Sequence, residues 1–243
     1  PLKKLVESPQ MKRDVFSLKT ALAQPRSSGI IAEFKRQSPS KGVINDSSTV
    51  QEVTEGYLKA GIAAQSILTD LNFFGGTIVD LMQARSCNDK APILRKDFIV
   101  DGIHIVEAKA IGADAILLIA ACLTKQELKN FGLLAEDLGL EVLYEIHSEE
   151  ELDKFDPTNK IIGINNRNLK TFKVDLEHSI ALANKIPESS IRVAESGISD
   201  PRIITGLRQY GFQGFLIGEN FMKTEDPGEA CATFINQMKH YEG

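Results

Sequence analysis

Six ionisable residues stand at or just beyond the ends of short apolar runs. They are Glu33 and Lys35 in "GIIAEFK", Lys96 in "PILRKDF", Glu145 in "EVLYEIH", Arg167 in "IIGINNR" and Glu195 in "IRVAESG". Burying an unpaired charge is costly, so each needs a partner or an exit to water. Strand side chains alternate in direction, so Glu33 shares a face with Lys35, Lys96 with Phe98, and Asn165 with Arg167. If these faces meet, three cations and three carboxylates converge on one place. Such a set can hold an anionic substrate and move protons within it. A single polar residue at a strand end is ordinarily just the strand leaving the core, but that reading does not account for all six. Lys96 is expected to pair mainly with Glu145 or Glu33 and to stay protonated.

Glycine adds a second kind of chemistry. "AESGIS" and "LIGEN" place Gly197 and Gly218 just after apolar runs. Backbone amides there stay open to an anion, and a helical turn at Asn220 would add its positive end. Each glycine alone reads as a tight turn; the pair points to phosphate. The stretch "RQSPSKGVIN" reads as a mobile cover that excludes water.

These residues need a frame. Eight apolar runs recur along the chain, at 29–35, 64–70, 92–98, 114–120, 141–147, 161–167, 191–197 and 214–220. Most are rich in Ile, Leu or Val and bounded by Gly, Pro, Asp or Asn, as strands buried on both faces are. Helix signals lie between them. "TKQE" (124–127) and "SEEE" (148–151) read as capping boxes. "SDP" (199–201) and "EDP" (225–227) set an acidic cap before a Pro at the first helical position. Gly61, Gly112, Gly139 and Gly211 fall where helices stop. Eight strand–helix units close into an α/β fold of the (β/α)₈ barrel type, one domain over residues 1–243. Its functional face is the C-terminal ends of the strands, where the charges fall. Arg95 and Asp97 then face the helices as an ion pair or cap. Residues 1–28 read as a helical extension across the barrel base. An open doubly wound sheet is the alternative, but it would carry a glycine-rich nucleotide turn that is absent here.

Composition narrows the function. The chain has 243 residues and a net charge of −5, which argues against a nucleic-acid surface. No apolar run reaches the roughly 18 residues of a membrane span. Cys87, Cys122 and Cys231 are scattered and read as free thiols of a reducing cytoplasm. His104, His147, His178 and His240 have no metal-ligand spacing and read as surface or helix-face residues.

The motifs "IIAEFKRQSPSKG", "ILTD…FFGG", "PILRKDFIVD", "GADAILLIAACL", "LYEIHSEEEL", "IGINNRNL", "VAESGIS" and "FLIGENFM" together resemble the indole-3-glycerol-phosphate synthase family, from about Gly29 to Met222. The resemblance implies a (β/α)₈ barrel with an N-terminal helical extension, here shorter than usual. It also implies ring closure of 1-(2-carboxyphenylamino)-1-deoxyribulose 5-phosphate to indole-3-glycerol phosphate in tryptophan biosynthesis, with loss of carbon dioxide and water. No cofactor and no metal are implied. Lys96 is then the general acid, Glu145 an acid–base or electrostatic group, and Glu33 and Lys35 the matching strand-1 pair, with Lys35 near a substrate carboxylate or phosphate. Ser38, Phe98, Asn165, Arg167, Glu195 and Ser196 match substrate-contacting positions. Gly197, Gly218 and the Glu219 amide match the phosphate turns. Phe74, Phe98 and Leu118 are candidates to line a slot for the benzene ring. The family often has a small hydroxyl residue where Glu219 stands, and an acidic side chain there must turn away from phosphate. The expected partner is a phosphorylated small molecule, with no nucleic acid and no membrane. A cytoplasmic monomer or weak homodimer is expected.

Three other readings remain open at this stage. Phosphoribosylanthranilate isomerase is a sister barrel, but resembles a family with a cysteine at the end of strand 1, which this chain lacks. A class I aldolase would use Lys96 as a Schiff-base nucleophile. A degenerate barrel would bind phosphates or a partner without turnover.

Overall fold

The computed structural model of the chain describes residues 2–158, 160–167 and 174–242. Its eight long strands are β1 (Ile30–Phe34), β2 (Ala64–Leu68), β3 (Ile93–Lys96), β4 (Ala115–Ile119), β5 (Glu141–Ile146), β6 (Ile161–Asn165), β7 (Ile191–Glu195) and β8 (Phe212–Ile217). Seven of them lie within the apolar runs, and β8 begins two residues before the last run, at Phe212. They pair in parallel in sequence order, and β8 pairs with β1 to close the barrel. A helix follows each strand: α1 (Val50–Ala60), α2 (Ile78–Cys87), α3 (Gly102–Ile111), α4 (Lys125–Asp137), α5 (Glu149–Leu152), α6 (Leu176–Ala183), α7 (Pro201–Arg208) and α8 (Pro227–Glu242). The fold is a (β/α)₈ barrel.

Local chemistry sets these boundaries. Thr124 and Glu127 form the expected capping box at α4, and Asp200 and Asp226 cap α7 and α8 ahead of Pro201 and Pro227. Gly61 and Gly112 end α1 and α3 in the left-handed conformation. The box expected at Ser148 is not made. Ser148 accepts no capping hydrogen bond, and Glu151 reaches past it to accept from the His147 backbone N at 2.7 Å. The stretch read as a mobile cover folds as a short hairpin pairing Gln37–Ser38 with Gly42–Val43. Arg36 anchors its base through a bidentate bond to Asp80. Asn168 and Leu169, the end of "IGINNRNL", lie outside the described residues.

Two apolar layers follow from strand alternation. Ile30, Ala32, Phe34, Ile67, Ile93, Ile116, Leu118 and Tyr144 pack outward against the helices. Ile31, Leu94, Leu117, Leu143, Val193 and Leu216 point into the barrel, where Leu18 and Leu22 from the N-terminal helix Leu18–Ala23 close the floor. That helix is tied to the barrel by Glu141, which accepts from Ser17 Oγ and the Lys19 backbone N. The three consecutive charges of β3 and its exit divide between the layers. Lys96 points inward. Arg95 points outward, 2.7 Å from Glu107 and 3.1 Å from Asp97, and donates to the His104 carbonyl.

The floor also holds the deepest ion cluster. Asp114, fully buried, accepts from Arg85 at 2.7 Å and from the backbone N of Phe16 and Ile93, and lies 2.8 Å from Arg13. Removing one partner from a buried ion cluster costs about 3–5 kcal/mol, because the other charge stays buried. Asp114→Asn is therefore expected to lose about that much in a denaturant titration. A loss of less than about 1 kcal/mol, the worth of a surface pair, would contradict this account.

Candidate functional site

The inward side chains at the C-terminal ends of β1, β3, β5 and β7 are Glu33, Lys96, Glu145 and Glu195. In a barrel of this kind, alternate strands contribute four side chains to one layer. Here the top layer of the odd strands is charged. Glu33, Glu145 and Glu195 are each at most 4% exposed. The Lys96 ammonium stands 3.4 Å from Glu195 Oε2 and 3.8 Å from Glu33 Oε2. Lys35 closes the group from above, with Nζ 2.9 Å from Glu33 Oε1.

Lys96 was expected to pair mainly with Glu145 or Glu33. Its nearest carboxylate is Glu195, because β7 lies across the barrel axis from β3 and the two side chains meet in the middle. Glu145 turns to other partners. Its Oε1 accepts from Asn165 Nδ2 at 3.2 Å and lies 3.3 Å from His147 Nε2.

The group divides its charge unevenly. Burial works against the Lys96 ammonium, but Glu33, Glu195 and Glu145 outweigh it and hold its pKa above the ordinary range. Burial also opposes ionisation of Glu33, and Lys35 and Lys96 overcome it, so Glu33 titrates below the ordinary range. Glu195 goes the other way. Burial and the neighbouring Glu145 push it up to about 8, despite Lys96. Glu195 thus keeps a proton at neutral pH while Glu33 does not.

Glycines on the even strands make room for this layer. A Cβ on Gly163 of β6 would collide with Glu195 Oε1, and one on Gly218 after β8 would come within 2.6 Å of Glu33 Oε1. Beyond β7 the chain turns through two successive left-handed residues, Ser196 (φ +68°) and Gly197 (φ +74°). The first is strained for a non-glycine residue, at about 1–3 kcal/mol. It carries the chain straight off the buried Glu195 to Gly197. After β8, Gly218 begins the short helical turn Glu219–Met222.

Above the layer lies a cavity of about 340 Å³, lined by Glu33, Lys35, Ser38, Phe74, Lys96, Asn165, Arg167, Ser196, Gly197, Gly218 and Glu219. The structure therefore brings together most of the residues singled out in the sequence. Arg167 Nη1 donates to Ser40 Oγ at 2.8 Å, and Nη2 lies 3.7 Å from Glu219 Oε2. Glu219 is thus turned toward a cation. Phe98 sits at the rim, 39% exposed, its ring 6.4 Å from that of Phe74 and 5.9 Å from that of Phe73. Leu118 is misplaced in the sequence reading. It is fully buried on the outer face of β4 among the helices, and strand alternation sends Leu117 and Ile119 inward instead. Ser40, from the stretch read as a cover, also lines the cavity, as do Ser199 and Lys223, which carried no signal in the sequence beyond their nearness to the glycine turns. His147, read there as an ordinary surface or helix-face residue, lies against Glu145. The signal was its spacing, two residues beyond Glu145. Among the described residues no group of three or more His, Cys, Asp or Glu side chains can hold a metal ion.

The raised pKa of Glu195 has a measurable cost. The fold binds a proton there between pH 4.5 and about 8, where the unfolded chain has released it. Stability attributable to this group therefore falls as pH rises across that window and stays at its lower level above it. Glu195→Gln replaces the protonated carboxyl with a neutral isostere. Denaturant titrations should show the variant gaining on the parent by at least about 1 kcal/mol between pH 5 and pH 9. An equal difference at both pH values would show that Glu195 holds no shifted proton.

Comparison with known proteins agrees across almost the whole chain. The family described as "Indole-3-glycerol phosphate synthase" matches residues 1–234. The indole-3-glycerol phosphate synthase of Bacteroides thetaiotaomicron is 52% identical over 223 residues, which is 92% of this chain and 85% of that protein. Those of a Polaromonas species and of Salinibacter ruber are each 43% identical, covering 93% and 96% of this chain and 86% of each relative. Among solved structures, the tryptophan synthase subunit alpha of Legionella pneumophila superposes with a TM-score of 0.66. It covers 92% of this chain and 97% of its own at 13% identity, a likeness of fold alone.

Proposed function

The chain belongs to the indole-3-glycerol phosphate synthase family, and on that premise we propose how its charged barrel mouth carries out the ring-closing decarboxylation of tryptophan biosynthesis. The observation that carries the reading is Lys96, an ammonium kept charged between buried carboxylates and exposed to the cavity.

The substrate, 1-(2-carboxyphenylamino)-1-deoxyribulose 5-phosphate, has a phosphate at one end and an aromatic carboxylate at the other. The phosphate rests on the open amides of Gly197, Gly218 and Glu219, with Lys35 nearby. Phe74, extended at the rim by Phe98, receives the benzene ring. Ser38, Asn165, Arg167, Glu195 and Ser196 hold the polar groups between. Lys96 then donates a proton to the carbonyl oxygen as the aromatic carbon bearing the carboxylate attacks the carbonyl carbon. Carbon dioxide leaves and restores the aromatic ring. The new hydroxyl leaves as water while the neighbouring carbon loses a proton. Glu145, with Glu33 and Lys35, serves these later transfers. A lysine whose pKa is raised stays charged at neutral pH, as a proton donor must, and is unsuited to Schiff-base formation, which starts from the neutral amine. This favours the acid over an aldolase-type nucleophile.

The scattered free thiols of Cys87, Cys122 and Cys231 support a cytoplasmic enzyme. No helix among the described residues is long and apolar enough to cross a membrane. We assign it a monomeric or weakly dimeric state, since the proposed site draws on one chain alone.

Two substitutions at Lys96 test the reading by fluorescence of the indole product. Lys96→Ala removes the donor and leaves the glycine turns in place, so turnover should fall by about 10²-fold or more with little change in affinity for a substrate analogue. Lys96→Arg keeps the charge, but guanidinium hardly releases protons, so it should also be poor. Near-normal turnover in Lys96→Arg would reduce Lys96 to a source of charge and remove the general acid.

A further inference from the structure

We propose that His147 is a positioning residue for Glu145, acting as an imidazolium wedged between Glu145 and Glu151 that keeps Glu145 an aimed carboxylate and leaves the proton on Glu195. The inference rests on the reading of Glu145 as part of the reacting group.

The geometry is specific. His147 follows Glu145 by two residues, in the bend that directly leaves β5. Its Nε2 lies 3.3 Å from Glu145 Oε1, and its Nδ1 lies 3.7 Å from Glu151 Oε2. Both ring nitrogens are buried and neither has a hydrogen-bond partner of ordinary geometry. A neutral imidazole has one donor and one acceptor, so it would turn a lone pair toward one of the two carboxylates. Only the cation offers a donor to each.

The surroundings hold the ring in place. Glu151 accepts from the His147 backbone N at 2.7 Å, and His178 Nε2 donates to the His147 carbonyl at 2.9 Å. The remaining charged and titratable neighbours do not replace this cation. Lys96 from β3 opposes it. Lys154, beyond α5, gives its ammonium to the carbonyls of Ala120 and Leu123. Cys122, after β4, is pushed upward by burial and then by Glu145 and Glu151, so it remains a neutral thiol. Burial works against charge on His147, but Glu151 and Glu145 outweigh it and raise its pKa, in agreement with the geometry.

The consequence lies in the carboxylate group. Glu145 and Glu195 are both buried, and burial together with Glu145 opposes ionisation of Glu195, which holds a proton. His147 adds a cation 3.3 Å from Glu145, set against the Lys96 ammonium 3.4 Å from Glu195, and so biases the proton toward Glu195. As pH rises through the titration of His147, that bias disappears.

The test compares pH profiles of turnover for the parent, His147→Gln and Glu145→Gln, together with an NMR titration of the His147 ring in the parent. Because His147 does not line the cavity, His147→Gln should lower kcat by about tenfold at neutral pH and leave KM within about twofold. The acid limb of its kcat profile should move up by about one pH unit or more, since Glu145 has lost its nearest cation. His147→Lys, which keeps a cation, should restore the parent's acid limb. A fall in kcat with no movement of the limb would mean a structural role only and would overturn the proposal. So would an NMR titration showing a neutral ring below pH 6.5, the ordinary imidazole value. That measurement holds even if His147→Gln fails to fold. Wild-type turnover in Glu145→Gln would sink the role of Glu145 itself. An inactive Glu145→Gln beside an unaffected His147→Gln would sink only the inference about His147.

Discussion

Everything at the mouth depends on burying one ammonium among three carboxylates in a single layer of the barrel. Four inward side chains from alternate strands have nowhere to go but toward each other, and here they are Glu33, Lys96, Glu145 and Glu195. Three ionised carboxylates around Lys96 would be a poor bargain in a site this dry. The structure lowers the cost in two ways. Lys35 reaches down to Glu33, adding a second cation at 2.9 Å. Glu195 keeps its proton, because burial and Glu145 oppose its ionisation. One environment therefore holds a charged acid, an ionised carboxylate and a protonated carboxyl within a few ångströms. Pairs of groups pushed apart in this way are how a site does acid and base chemistry at one pH.

The same layer dictates its neighbours. β6 and the exit of β8 must leave space beside it, since a methyl on Gly163 would displace Glu195 and one on Gly218 would press on Glu33. The glycines that read in the sequence as anion turns thus have a packing reason as well, at least at Gly218. The strained backbone of Ser196 belongs to the same economy of space. A regular residue there would carry the chain away from the axis and take Gly197 with it. Backbone strain of this kind persists only where the surrounding fold determines it, and β7 lies between β6 and β8 in full register on its β6 side.

What could be read from the sequence depended on whether a strand carried a marker of its own parity. In β1, β3, β6 and β7 a charged or polar residue at the end showed which positions face the axis. Thus Lys96 and Arg95 were assigned to opposite faces as the structure has them. Around β4, "DAILLIA" has six apolar residues in a row with nothing to set the phase, so the inward reading of Leu118 fails and it lies outside. Of the partners of Lys96, Glu33 was legible and Glu195 was not, because pairing across the axis depends on which strands lie opposite, not on local pattern. His147 was missed for another reason. It has no metal-ligand spacing, and its partner is the carboxylate two residues before it. The Ser148 box failed because Glu151 had that same histidine's backbone to serve.

Three cations of the mouth are already paired before any substrate arrives. Lys35 is on Glu33, Lys96 is on Glu195, and Arg167 faces Glu219. In a chain of net charge −5 this is how anion-binding groups are kept from standing unpaired in a partly buried site. It also changes what binding means here. An incoming phosphate or carboxylate takes over partners that protein carboxylates release, so the gain lies in better geometry and shared hydrogen bonds rather than in neutralising a free charge. Glu219 illustrates the difference. Beside a phosphate with no cation near, its carboxylate would repel. Facing Arg167 across the cavity, and about one-third exposed, it can swing toward water and leave the guanidinium to the substrate. An acidic residue at the edge of an anion site is then compatible with binding, provided the cation it guards is the one the substrate takes.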